Sequence, residues 1–138
     1  LAVAIGTSHG AYKYSGEPHL DVQRLMELSN RMPGYPFVLH GASSVPQEYV
    51  EMANHHGARL HGAKGVPESA LRSASRMGIC KMNIDTDLRL AVTAVLRKHF
   101  AEDPAGFDPR TYFDLTRRTI EDVARQKMRD VLGCVDAN

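Results

Sequence analysis

The chain has 138 residues, with 17 Lys and Arg against 16 Asp and Glu, 43% hydrophobic residues and 24% charged ones. That length suits one ordinary domain with its own core rather than two. A formal net charge of +1 leaves no electrostatic footprint for nucleic acid or an anionic membrane, and the composition argues against disorder. No apolar run reaches the roughly 18 residues of a membrane-spanning helix. Cys80 and Cys134 form no CxxC pair and read as reduced thiols, so the expected compartment is cytoplasmic. Leu1-Ala2-Val3-Ala4-Ile5 is already an apolar run and has no basic stretch before it. It reads as the inside of a fold rather than a signal peptide.

In chain order, residues 1–5 form a short apolar run that stops at Gly6-Thr7-Ser8-His9-Gly10. A run of this kind, bounded by glycine, suits a parallel strand buried on both faces. Val22, Leu25, Met26 and Leu28 then recur at helical spacing over residues 21–32, before Pro33-Gly34. Residues 37–40 are a second apolar run, broken by Gly41-Ala42-Ser43-Ser44. Helices are predicted over 46–56 and 67–77, the first stopped by Gly57 and the second by Gly78. Residues 79–84 are the third strand, and 88–100 the next helix. Asp108-Pro109 supplies a cap and a first-turn proline for a long helix running to about Leu132. Strands alternating with helices imply βαβ units, an α/β class and a parallel sheet.

Each strand ends in a polar cluster: Gly6 to Gly10, His40 to Ser44, and Asn83 to Asp87. Ligands of parallel α/β folds bind beyond the carboxyl ends of strands, so the three clusters are expected to converge on one site. His9 and His40 are the candidate metal ligands, since imidazole is a common zinc donor and equivalent strand ends would bring them together. On spacing alone, each also reads as an ordinary hydrogen-bonded strand-end residue. His19, His55, His56, His61 and His99 are expected to be exposed helix or loop residues. Gly10, Gly41 and Ser43 can free backbone N–H groups for phosphate oxygens, with Lys13 adding charge and Thr86 a helix-terminal N–H and hydroxyl. Turn and cap chemistry explains the same residues, and the sequence by itself does not separate the two.

Three stretches carry a resemblance. Ile5-Gly6-Thr7-Ser8-His9-Gly10-Ala11-Tyr12-Lys13, Val38-Leu39-His40-Gly41-Ala42-Ser43 and Lys81-Met82-Asn83-Ile84-Asp85-Thr86-Asp87-Leu88-Arg89 resemble the class II, zinc-dependent fructose-1,6-bisphosphate aldolases. The branch they are most similar to also holds tagatose-bisphosphate aldolases. Gly62 to Pro67 and Asp108-Pro109-Arg110 extend the similarity over nearly the whole chain. That family is a TIM (β/α)8 barrel of about 250 residues or more. The resemblance therefore implies that residues 1–138 are a single partial domain, the last three strands and the C-terminal helices. The family's His-x-Asp-His motif, with one zinc ligand and the proton-transferring aspartate, does not occur in these residues, and an N-terminal half is expected to supply it.

The resemblance also implies roles. His9 and His40 would be two of three zinc ligands, and Asn83 would position the enediolate. Gly10, Lys13, Gly41, Ser43, Asn83, Asp85 and Thr86 would surround the ketose and its first phosphate, where a monovalent cation (Na+ or K+) assists. Arg89 and Arg110 would meet the far phosphate, Arg110 from a neighbouring subunit of a homodimer or tetramer; read alone, Arg110 is also an ordinary helix-surface charge. Phosphorylated sugars are the implied substrates, in reversible aldol cleavage of fructose 1,6-bisphosphate. The alternatives are the tagatose ester, or a non-catalytic phosphate-binding fragment on the same scaffold.

Overall fold

The computed structural model describes residues 1–9 and 18–134. Its elements are α1 (Val22–Arg31), β1 (Phe37–Leu39), α2 (Gln47–His55), α3 (Glu68–Ser75), β2 (Ile79–Met82), α4 (Thr86–Glu102), α5 (Pro109–Gln126) and a π-helical stretch (Lys127–Leu132) that continues α5. β1 and β2 pair in parallel, Phe37 opposite Ile79 and Leu39 opposite Met82, with an irregularity after Phe37. The first apolar run joins β1 in the same sense through an Ala2–Val38 bridge. Two hydrogen bonds hold it: Val3 N–H to Val38 O at 3.1 Å, and Val38 N–H to Leu1 O at 2.8 Å.

The helices form where the sequence offers caps and one apolar face. Asp21 caps α1 by accepting the Arg24 N–H, and Asp108 caps α5 by accepting the Arg110 N–H, with Pro109 in the first turn. The π-helical stretch after α5 ends at Gly133, left-handed at φ 75°, as a glycine stop should. Residues 103–107 form a short turn that folds α5 back against α4.

The main core joins Val3, Ile5, Phe37, Leu39 and Ile79 of the strands to Leu25 of α1, Leu71 and Ala74 of α3, and Val131 of the π-helical stretch. Burying each of Ile5, Leu25, Phe37, Leu39 and Leu71, all at 1% exposure or less, contributes about 1.5–3 kcal/mol. A smaller cluster of Val45, Val50, Ala63 and Leu90 seats α2 on α4.

In this chain by itself one face of the sheet is covered. Val3 and Ile5 are buried while Ala2 and Ala4 are exposed, and Cys80 and Lys81 of β2 are exposed beside buried Ile79. The described helices cover one face of the sheet, so the alternation belongs to half-covered strands.

Candidate functional site

The carboxyl ends of all three parallel segments open on one cleft of about 610 Å³, lined by His9, His40, Gly41, Ser43, Met82, Asn83, Ile84, Asp85, Thr86 and Arg89. The strand-end loops are pressed together. Gly41 adopts φ 64°, and a Cβ there would collide with the Ser8 carbonyl, so only glycine lets the loop after β1 pass so close to the residue before His9. The His9 and His40 ring centres are 6.2 Å apart. The Asn83 N–H to Leu39 O bond (2.9 Å) and the Ala42 N–H to Asn83 O bond (3.3 Å) lock the ends of β1 and β2 together. Asn83 thereby sets its amide nitrogen 3.0 Å from His40 Nδ1 and 3.2 Å from Nε2.

Ser43 is the hinge between the β1 loop and α4. Its hydroxyl, 3% exposed, accepts the Asp85 N–H at 3.3 Å and the Thr86 N–H at 3.2 Å. It therefore caps α4 from a different loop, while Asp85 makes no capping bond with its own side chain. The Asp85 carboxylate instead pairs with Arg89 at 2.7 Å on the open side of the cleft. The N-terminus of a 17-residue helix, partial positive charge included, thus opens on the cleft beside Gly41, two hydroxyls and the Asp85–Arg89 ion pair. A helix N-terminus suits an anion.

Two imidazoles that share a zinc, each nitrogen about 2.0–2.1 Å from it, have ring centres roughly 5–6 Å apart. The observed 6.2 Å is longer than that range, and both rings are exposed beside the cleft. The pair brings two imidazole donors to one cleft, at a spacing wider than a shared zinc would set. Among the described residues no third His, Cys, Asp or Glu completes a metal-binding group.

The comparisons with known proteins give the family. The family model for "Fructose-bisphosphate aldolase class-II" matches residues 1–59 and 58–137. The chain belongs to that family. Its relatives include a fructose-bisphosphate aldolase of Thermus caldophilus, 46% identical over 98% of this chain and 44% of the relative. One of Stutzerimonas stutzeri is 44% identical over 89% of this chain and 36% of the relative, and one of Treponema pallidum is 41% identical over 96% and 44%. The chain spans less than half the length of these relatives.

Within this aldolase-family fold, the sequence-predicted residues divide into three groups. His9, His40, Gly41, Ser43, Asn83, Asp85, Thr86 and Arg89 share the cleft. Gly10 and Lys13 lie outside the described residues. Arg110 does not line the cleft. Its fork grips Asp108 at 2.6 Å and 3.0 Å, and that ion pair holds the Asp108 carboxyl below its ordinary range and the guanidinium above its own. His19, His55 and His61 are exposed, and His56 and His99 half-buried. A second hollow, of about 670 Å³ between α2, α3 and α5, contains neither His9 nor His40.

The sequence reading missed a buried polar cluster behind the cleft. Asp87, fully buried, turns away from the cleft and accepts the Ser44 N–H (3.0 Å), the Val45 N–H (2.8 Å) and the Ser44 hydroxyl (3.0 Å). Lys127 pairs with it from the far end of the chain at 3.1 Å. The available signal was faint: a lysine four residues after Val123, just past the end of α5.

Proposed function

We propose that this chain supplies the last three strands and the C-terminal helices of a (β/α)8 barrel that reversibly cleaves fructose 1,6-bisphosphate. The products are dihydroxyacetone phosphate and glyceraldehyde 3-phosphate. The observation that carries this reading is the meeting of His9, His40, Asn83, Ser43 and Thr86 in one strand-end cleft, in a chain of the class-II family.

Zinc, when bound, supplies a Lewis acid for the ketose carbonyl. His9 and His40 are its ligands from this chain. A third ligand and the aspartate that moves the proton come from an N-terminal half carrying His-x-Asp-His. Asn83, braced on the joined ends of β1 and β2, orients the reacting carbons of the ketose. The ketose phosphate rests on backbone N–H groups at Gly10, Gly41 and the start of α4, with the Ser43 and Thr86 hydroxyls and Lys13 beside it. A monovalent cation, sodium or potassium, shares its charge. Asp85 receives the ketose hydroxyls. Arg89 and Arg110 take the far phosphate, Arg110 from a neighbouring copy in a homodimer or tetramer, since guanidinium forks bind phosphate oxygens in pairs. The assembly works in the cytoplasm; no helix of the described residues is long and apolar enough to cross a membrane.

The names of the relatives favour the fructose ester over the tagatose ester, and a cleft that gathers His9, His40 and Asn83 favours catalysis over passive phosphate binding. The test is steady-state cleavage by the full-length protein, coupled to NADH oxidation, with both esters compared. Cleavage should prefer the fructose ester, stop with chelator and return with zinc. Turnover that survives chelation, or a preference for the tagatose ester, contradicts the reading.

A further inference from the structure

Building on the proposed sugar-phosphate cleft, we propose that Lys127 is a positioning residue for its phosphate cradle, acting through Asp87 and Ser44 without touching substrate. Lys127 lies in the π-helical stretch after α5, and its side chain is 6% exposed. An inserted π turn re-aims side chains relative to the preceding α-helix, and here it delivers an ammonium to the back of the β1 loop. Lys127 Nζ donates to Ser44 Oγ at 2.6 Å, pairs with Asp87 Oδ2 at 3.1 Å and is bonded to Glu68 at the start of α3. Gln126 donates to the other Glu68 oxygen at 2.9 Å, which fixes the carboxylate that fixes the lysine.

The chain of contacts leads to the cleft. The Asp87 carboxylate holds the consecutive N–H groups of Ser44 and Val45. Val45 has φ 53°, a left-handed conformation that a β-branched residue avoids unless its surroundings over-determine it. The carboxylate clamp is what over-determines it. The residue before this turn is Ser43, whose hydroxyl meets the Asp85 and Thr86 N–H groups in the cleft. Lys127 sets Asp87, Asp87 sets the 44–45 turn, and the turn aims Ser43 at the start of α4. A buried ion pair is a weak source of net stability compared with packed apolar side chains, but it accepts one geometry. Removing the ammonium leaves a fully buried carboxylate without its ion-pair partner, and the turn beside Ser43 must yield.

The experiment uses the zinc-loaded full-length protein. Inorganic phosphate is titrated calorimetrically, and KM and kcat for fructose 1,6-bisphosphate are measured separately. Lys127→Met should weaken phosphate binding and raise KM by about tenfold, as a small displacement of positioned groups does, with zinc content unchanged. Lys127→Arg restores a cation and should stay within about twofold of wild type. Ser44→Ala, which removes only the hydroxyl between Lys127 and Asp87, should weaken phosphate about threefold. A merely structural lysine would lower the melting temperature and leave the phosphate affinity of the folded protein unchanged. Wild-type phosphate affinity in Lys127→Met overturns the proposal, as does an Arg variant as weak as the Met variant, or a wild-type protein that binds no phosphate. If Lys127→Met does not fold, Ser44→Ala decides, and unchanged affinity there overturns the proposal. A wild-type protein that binds phosphate but cleaves no ester contradicts the aldolase reading alone, because the titration does not depend on turnover.

Discussion

Gly41 and the carbonyl of Ser8 stand so close that no side chain can be placed between them. Ser8 precedes His9 and Gly41 follows His40, so this backbone contact sets the separation of the two imidazoles. Gly41→Ala adds both a collision with fixed backbone and a left-handed alanine, the latter alone costing about 1–2 kcal/mol. The protein should lose stability by at least that amount in urea unfolding, and zinc retention after dialysis should fall with it. A Gly41→Ala protein with wild-type zinc content would show that the loop contact does not set the histidine pair.

Asn83 and His40 should separate kinetically although they touch. His40→Ala, like His9→Ala, removes a proposed metal ligand, so bound zinc and activity should be lost together. Asn83→Ala removes a positioned donor and should retain zinc while kcat falls by about 10²–10³-fold, the range for loss of one preorganised hydrogen-bond donor. Metal analysis beside steady-state kinetics checks the split. Zinc loss in Asn83→Ala would make that residue a support for His40 rather than a contact for substrate.

Much of this arrangement is legible in the sequence because its signals are local. Apolar runs that stop at glycine mark the strands, and Asp21, Pro109 and Gly133 mark helix ends where the structure has them. The convergence of His9, His40 and Asn83 follows from the rule that parallel strands present their carboxyl ends together. What escapes is non-local. The sequence places Asp85 or Thr86 as the cap of the helix after β2, but Ser43 does the capping from another loop. Asp87 looks like one more residue of a polar cluster facing the site. Its burial follows from Lys127, on a helix that sequence periodicity cannot dock.

Acid stability should report the Asp108–Arg110 pair. The Arg110 side chain, and then its backbone N–H, hold the Asp108 carboxyl below its ordinary range. A depressed folded value means the contribution is fully present above the unfolded value of about 3.9 and is lost as pH falls through the folded value. Asp108→Asn keeps a capping acceptor but cannot titrate, so its stability should fall less steeply than wild type below about pH 4. Urea midpoints measured from pH 5 downward give the comparison. Parallel acid limbs would mean that Arg110 does not hold Asp108 in solution.

No lysine should become covalently attached to substrate. Lys81 is exposed on β2 and Lys13 stands four residues after His9 in the sequence, so these are the amines to check for an adduct. Borohydride added during turnover should leave the protein mass unchanged, while chelator inactivates it. A reduced adduct on Lys81 or Lys13 would replace metal chemistry with a Schiff base.

The proposed division of labour between two barrel halves is tested most directly by assaying residues 1–138 alone. Two histidines leave a catalytic zinc short of its usual three protein ligands, and the absent proton-transferring aspartate is worth about 10²–10⁴-fold. The pure 138-residue chain, with added zinc, should show no detectable cleavage of fructose 1,6-bisphosphate. Activity should appear when an N-terminal half carrying His-x-Asp-His is supplied. Robust zinc-dependent turnover by the chain alone would contradict the account, because it would place the proton-transferring group among these residues.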